Sequence, residues 1–452
     1  MSVPHAIQVA TPPAAPTRVR HGVLAFTLAL TAVAYLDRVC IATAAPAMKA
    51  DLGLSDAQMG YVFSAFTLAY ALFEVPSGRL ADRFGARLML TRIVIWWSAM
   101  TAATGLAGGV LSLVVARFLF GAGEAGTFPS IARAYGRWLP ARERGRAFGL
   151  ALMTAALGGA LTQPLVVSLL RIFHWRHTFP IFGAVGVVWA LAWFWWFRDD
   201  PHQHAAVNAA ELHLLATESR LLPSHGRATP GASDVTANGQ AGTTHRNSVP
   251  VPWSALLRSR SLLVLCVMYG AAIYGWYFYI TWLPTYLQRA RGFDLQQVGW
   301  LAALPLLSIA AGVFAGGWTS DVLARRWGVR AGRRAPGLVG LPLAALAVVG
   351  AIVTPSALLA ALLLAAAAGL AALGVSPAWA VCLEIGGPHS GVVSGAMNTF
   401  GNLGGALSPV VVGLSLQRWE SWNLPLLTVA GLYLVAAACW LGIDPAQPIE
   451  NT

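Results

Sequence analysis

Charge is what this chain has least of: 11% of its 452 residues are Asp, Glu, Lys or Arg, where a soluble globular protein carries about 25%. Lysine is nearly absent, with Lys49 alone beside 29 arginines. Cysteine is sparse too. Cys40, Cys266, Cys382 and Cys439 fall in apolar runs without metal-ligand spacing, which reads as small buried hydrophobes and leaves no basis for a disulfide framework or a metal site. No nucleophile triad and no large appended domain accompany them, so neither an enzyme nor a cofactor is indicated.

What is abundant is apolar surface. The composition is 57% hydrophobic and the mean hydropathy is +0.62. Apolar runs of about 20 residues, long enough to cross a bilayer, recur along the whole length. The reading is an all-α polytopic membrane protein. Twelve spans are expected near 22–46, 57–78, 86–108, 110–132, 146–171, 178–197, 261–287, 296–318, 336–354, 357–384, 390–416 and 423–443. A polar segment, 198–258, separates the sixth from the seventh. Its part from Ser224 to Pro250 has the composition of disorder, and Ala209–Leu222 suits a short surface helix. The expected organisation is a tail (1–21), a six-helix bundle (22–197), the connecting loop (198–258), a second six-helix bundle (259–443) and a short tail (444–452).

The formal charge of +12 suggests nucleic acid until the arginines are placed. They cluster in alternate loops: Arg79, Arg83, Arg87 and Arg92; then Arg133, Arg137, Arg142, Arg144 and Arg146; then Arg325, Arg326, Arg330, Arg333 and Arg334. The positive-inside rule makes these loops cytoplasmic and puts both termini with them. Nucleic acid is not an expected partner; the lipid bilayer is. Residues 1–21 are polar and Pro-rich, with no small-residue cleavage site soon after the first span, so that span is expected to be retained.

A few charges lie inside the spans, where each costs roughly 2.5–3.5 kcal/mol on insertion scales. The stretch Arg117-Phe-Leu-Phe-Gly-Ala-Gly-Glu124 sets a guanidinium and a carboxylate on nearly one helix face, about 10 Å apart along the axis. The first span holds Asp37 and Arg38, adjacent and therefore about 100° apart, so each needs its own partner or water. Two readings stand for such charges: a solute or proton pathway, and structural ion pairs that lock helices. Gly121-x-Gly123-x-x-Gly126 matches a dinucleotide fingerprint but lies within a span, where small residues serve close helix packing.

The two halves repeat. Gly78-x3-Asp82-Arg83-x-Gly85-x-Arg87 follows the second span, and Gly317-x3-Asp321-x4-Arg326 follows the eighth, with Gly, Asp and Arg at matching spacing. Gly78 lets helix ends approach, Asp82 can cap a helix N-terminus, and Arg83 and Arg87 can bind carboxylates across the junction between halves. A gate latch and simple topology-setting charge are both consistent with the loop. This motif resembles that of the major facilitator superfamily, and the resemblance covers the whole chain. It implies two pseudo-symmetric six-helix bundles, alternating access and a functional monomer.

Within that superfamily, Tyr35-x-Asp37-Arg38 and Arg117-x6-Glu124-Ala-x2-Phe-Pro129 are similar to the anion:cation symporter branch, which includes bacterial sugar-acid transporters, vesicular glutamate transporters and sialin. Further matches are Tyr61-Val-Phe-Ser-Ala-Phe with Tyr70, Thr281-Trp282-Leu-Pro284-x-Tyr286, and Ser394-Gly-x2-Asn398-x2-Gly401. The resemblance implies that Arg38 contacts a substrate carboxylate, with Tyr35, Tyr70 and Asn398 reaching its hydroxyls. It implies that Asp37 and Glu124 carry protons and that Arg117 keeps one of them ionised. Asp321 and Arg326 would join Gly78, Asp82, Arg83 and Arg87 in gating. Glu74 departs from the branch; it is a third protonatable group or, preferably, the partner of an arginine at the cytoplasmic end. The expected function is proton-coupled import of a small organic anion, a sugar acid, across a bacterial inner membrane. The aromatic seventh span (Tyr274, Trp276, Tyr277, Tyr279, Trp282) keeps an aromatic acid open. Dicarboxylate uptake, solute efflux and a non-transporting sensor stay open as well.

Overall fold

In a computed structural model, residues 15–221, 253–447 and 449 are described, and no strand occurs among them. The helices are α1 (Val19–Leu52), α2 (Asp56–Gly105), α3 (Val110–Glu124), α4 (Thr127–Trp138), α5 (Ala141–Ile172), α6 (Trp175–Trp196), α7 (Ala209–Leu221), α8 (Trp253–Arg258), α9 (Arg260–Thr281), α10 (Leu283–Arg289), α11 (Leu295–Trp327), α12 (Val329–Val353), α13 (Ala357–Ala372), α14 (Val375–Gly386), α15 (Ser390–Trp419) and α16 (Asn423–Gly442). Ten segments are long and apolar enough to cross a membrane; two of these are helix pairs, α3 with α4 and α13 with α14. The 50-residue α2 breaks at Gly85 (φ 82°, ψ 162°) into two helical arms, which stand at the expected second and third spans. The expected twelve are all present. Cys40, Cys266 and Cys382 are buried, as expected of small hydrophobes, whereas Cys439 is only half-buried.

The helix ends follow from local chemistry. Ser55 and Gln58 form a capping box at the start of α2, and Asp294 and Gln297 repeat it at the start of α11. Gly328 (φ 84°, ψ 161°) turns α11 into α12 as Gly85 turns the two halves of α2, in a region that penalises any residue with a Cβ. Behind each turn stands an aspartate from the end of its bundle. Asp199 Oδ1 accepts the backbone N–H groups of Ala86 (2.6 Å) and Arg87 (3.2 Å), filling the place expected of a capping carboxylate. Asp444 takes Arg330 in a two-pronged pair, with Nε to Oδ1 at 3.0 Å. The counterpart of Arg87 is thus Arg330, one turn beyond Arg326, because α11 runs a turn longer before its glycine.

The connecting helix α7 forms where expected and docks on the start of α1. Fully buried Glu211 receives Thr17 Oγ1 (2.5 Å) and the backbone N–H groups of Val19 (3.3 Å) and Arg20 (3.2 Å). It also pairs with the Arg20 guanidinium at 3.3 Å. Residues 224–250 lie outside the described residues.

The two bundles approach each other most closely at one end. Along antiparallel α2 and α15, a Cβ on Gly60 would sit 2.5 Å from the Pro409 carbonyl oxygen, and one on Gly413 would sit 2.5 Å from that of Asp56. Ser64 Oγ donates to the Ala406 carbonyl at 2.5 Å. Gly299 of α11 packs on Pro164 of α5, Arg171 donates to Gln296 at 2.8 Å, and Arg289 pairs with Asp56 at 2.8 Å. At the other end, toward the Gly85 and Gly328 turns, Gly145 and Gly149 of α5 and Gly391 and Gly395 of α15 face open space. The molecule is closed where α2 begins and open where its first half ends.

Candidate functional site

The fourth span is interrupted beside its carboxylate. α3 ends at Glu124, α4 resumes at Thr127, and Thr127 Oγ1 and Ser130 Oγ bond back to the carbonyls of Glu124 and Gly126, each at 2.7 Å. Gly121 lies against the Phe66 carbonyl, Gly123 against Trp96, and Gly126 against Ile93 and Ser77, so the three glycines serve close packing. Broken helices at the level of a buried charge are a recurring way of building transporter sites.

At that break, Glu124 Oε1 receives Arg38 Nη2 at 2.5 Å, with side-chain exposures of 2% and 11%. The Arg38 guanidinium is boxed by rings, 4.9 Å from Tyr35, 4.8 Å from Phe66 and 5.2 Å from Tyr70. The direct partner of Glu124 is therefore Arg38 of α1. Arg117, expected to hold a carboxylate ionised, sits about 10 Å along its own axis from Glu124 and makes no direct pair with it. Instead Arg117 Nη2 reaches the Arg38 carbonyl at 3.5 Å, and its guanidinium lies 4.4 Å from Phe120. Its Nε and Nη1 are buried without a hydrogen-bond partner.

Asp37 is fully buried, about 100° around α1 from Arg38, and neither carboxylate oxygen has a hydrogen-bond partner. It interacts at longer range with the Glu124 and Arg117 charges and with Thr101 and Trp97 of α2. Oγ1 of Thr101 and Nε1 of Trp97 are themselves unpaired. Orphaned polar groups at this density are costly in a protein interior and mark sites that bind or move something. Sequence reading missed a neighbouring pair, Thr43 of α1 with Gln163 of α5, both buried. A lone Thr and a lone Gln in apolar runs carry no signal for it.

The second bundle contributes neutral groups. Tyr277, Ile280 and Thr281 close a narrow cleft over Arg38, Phe66 and Arg117. Asn398 Nδ2 donates to both oxygens of Glu74, at 2.9 and 2.8 Å, across the gap between bundles. This replaces the arginine partner expected for Glu74: one turn past Tyr70, its side chain points to α15 and not to the loop. A larger cavity of about 410 Å³, lined by Thr43, His174 and Gln288, lies away from these charges at the closed end.

The loop residues sort as follows. A Cβ on Gly78 would sit 3.7 Å from Pro129, an ordinary van der Waals contact. The side chain of Asp82 lies outside the described residues. Arg83 is exposed over Phe84. Arg87, expected to reach a carboxylate across the junction, donates to the Phe194 carbonyl at 2.9 Å within its own bundle. Asp321 pairs with Arg333 (2.6 Å), which also binds Glu384 (2.8 Å), and Arg326 is exposed.

Comparison with known proteins agrees with this architecture. The family model described as Major Facilitator Superfamily matches residues 27–409. A probable sulfoacetate transporter of Cupriavidus necator is 36% identical over 437 residues, covering 96% of each chain. A probable galactarate/D-glucarate transporter of Escherichia coli is 30% identical, covering 94% of this chain and 93% of that one. The D-galactonate transporter of Escherichia coli is 28% identical, covering 95% and 96%. Among solved structures, a bacterial homologue of the human lysosomal transporter Spinster aligns with a TM-score of 0.73 at 20% identity, over 94% of this chain and 97% of that one. The repeat, the twelve spans and a family match running from the first span into the eleventh lead to one conclusion: the chain belongs to the Major Facilitator Superfamily of transporters.

Proposed function

We propose that the protein imports a small organic anion of the sugar-acid type together with protons, by rocking its two bundles about the charged centre. The Arg38–Glu124 pair carries this reading. A guanidinium enclosed by Tyr35, Phe66 and Tyr70 is a bidentate site for a carboxylate. Its present occupant is a carboxylate of the protein itself. An entering anion competes for Arg38, displaced Glu124 becomes an unpaired buried anion, and proton uptake relieves that cost. The partnerless nitrogens of Arg117 supply further donors, and Asp37 is a second carboxylate to neutralise. Tyr35 and Tyr70, beside the Arg38 guanidinium, and Asn398 would meet the substrate's hydroxyls. The relatives named for sulfoacetate, galactarate/D-glucarate and D-galactonate share one chemical feature, a small organic acid.

With the arginine-rich loops on the cytoplasmic side of a bacterial inner membrane, both termini inside and a single chain as the working unit, the open end faces the cytoplasm. The working bodies are then residues 22–197 and 259–443, joined by 198–258. In the opposite state, Gly78, Asp82, Arg83, Arg87, Asp321 and Arg326 would lie at the closing end and latch it. The test is uptake into proteoliposomes of labelled galactonate, glucarate, glucuronate and sulfoacetate under an imposed inward proton gradient. Accumulation of at least one acid, abolished by a protonophore, is expected. Accumulation driven equally well by sodium without a pH gradient, or none for any acid, overturns the reading.

A further inference from the structure

Glu74 is a carboxylate in a site whose other features favour anions. It lies on α2 one helical turn, about 5.4 Å, from Tyr70, and the Tyr70 ring touches the Arg38 guanidinium. It interacts electrostatically with Arg38 and is partly exposed. Its only hydrogen bonds among those described come from Asn398 Nδ2, which spans the gap between bundles. Among the described residues, no cation pairs with it directly. A single amide group leaves further lone pairs on both oxygens free to accept.

We infer that Glu74 selects for substrate charge: it makes the site prefer monoanionic polyhydroxy acids over dianions by presenting an acceptor carboxylate to the end of the substrate remote from Arg38. The inference rests on the organic-anion reading above and sharpens it. An extended six-carbon acid clamped by its carboxylate at Arg38 reaches past Tyr70 toward Glu74 and Asn398. A terminal hydroxyl there donates to Glu74 and accepts from Asn398. A second carboxylate can only accept, so it meets Glu74 as an unpaired like charge in a poorly solvated cleft. Such a repulsive element is how a site built for one ligand rejects a near-isostere.

Galactonate and galactarate form a matched pair, with the same hydroxyl-bearing chain and a terminal alcohol replaced by a carboxylate. Binding of each to the full chain in lipid nanodiscs is measured by calorimetry at neutral pH. The wild type is expected to bind galactonate at least tenfold tighter, about 1.4 kcal/mol, and Glu74→Gln to narrow the ratio below about threefold. Gln preserves a hydrogen bond to Asn398, and Glu74→Met provides the same neutralisation should the Gln variant express poorly. A residue that only braced the bundles would weaken both ligands alike and leave the ratio unchanged. A wild type that binds galactarate as well as galactonate, or a ratio untouched by both variants, overturns the inference while the organic-anion reading stands. Failure of every acid to bind the wild type overturns both.

Discussion

Replacing Glu124 by Gln isolates the step on which the proposed proton coupling depends. Glu124 is 2% exposed and meets Arg38 at 2.5 Å. Two unit charges at about 4 Å and an effective dielectric constant of 20 attract by roughly 4 kcal/mol before desolvation is counted. A substrate carboxylate must overcome that attraction, or arrive when a proton has removed it. Where Glu124 is ionised in the free protein, each pH unit adds about 1.36 kcal/mol to the cost of protonation. Wild-type affinity should then fall about tenfold per unit as pH rises. Glu124→Gln mimics the protonated form, so its affinity should be high and nearly flat with pH. The empty variant should be less stable, because removing one partner of a buried pair strands the other at a cost of up to about 3–5 kcal/mol. Saturating anion should restore much of this, since a ligand at 100 times its Kd contributes about 2.7 kcal/mol. Calorimetry across neutral pH, thermal unfolding with and without ligand, and proteoliposome assays provide the readouts. Gradient-driven accumulation should vanish while counterflow of preloaded substrate persists. A variant that still concentrates substrate under a pH gradient, or keeps the wild-type pH slope, refutes the assignment and passes it to Asp37.

Arg38→Lys keeps the charge but loses the planar fork and the ring contacts, so acid binding should weaken about 10–100-fold, or roughly 1.4–2.8 kcal/mol, by calorimetry. Arg289→Gln removes the bridge to Asp56 and leaves Asp56 its pair with Lys49; Arg289 is 48% exposed, so the loss is at most about 1 kcal/mol, and labelling of a cysteine introduced near the closed end should rise by up to about fivefold. Gly395→Leu fills space that is empty in this state. Thermal stability should hold while transport drops more than tenfold, because α15 could no longer close on α2; unchanged flux would mean that this glycine does not enter the opposite interface.

The spans were legible because bilayer crossing demands long apolar runs, a requirement that does not depend on neighbours. The candidate charges were legible for the same reason inverted: Asp37, Arg38, Arg117 and Glu124 stand out against hydrocarbon. Their pairing was not legible. Spacing within one helix suggested Arg117 with Glu124, whereas the contact is made by Arg38 from another helix, and the rotation and depth of α1 against α3 are products of packing. The loop repeat was visible in Gly78 and Gly317, yet a one-turn extension of α11 moved the arginine counterpart to Arg330. Asp199 had no signal of its own, because a cap is recognisable only when its helix start is known to be within reach. Glu74 looked like a residue for the arginine-rich end because proximity in sequence favoured that partner, while α15 offered Asn398 across the cleft.

The distribution of these contacts bears on how the bundles move. Arg38 with Glu124, Arg117 with the Arg38 carbonyl, and Asp37 with Trp97 and Thr101 all lie within the first bundle. Contacts between bundles are of another kind: glycines on carbonyls, Ser64 on Ala406, Asn398 on Glu74. Separating opposite charges in a medium of low dielectric is expensive, whereas a glycine leaving a carbonyl forfeits only contact area. The one ion pair described that joins the bundles, Arg289 with Asp56, sits at the rim, where water lowers the cost of breaking it. In the proposed rocking motion, a pseudo-symmetric scaffold with asymmetric charge would let the largely neutral wall of the second bundle swing past a charged centre held within the first. In the proposed cycle the largest electrostatic work falls at Arg38, where substrate and proton would be exchanged.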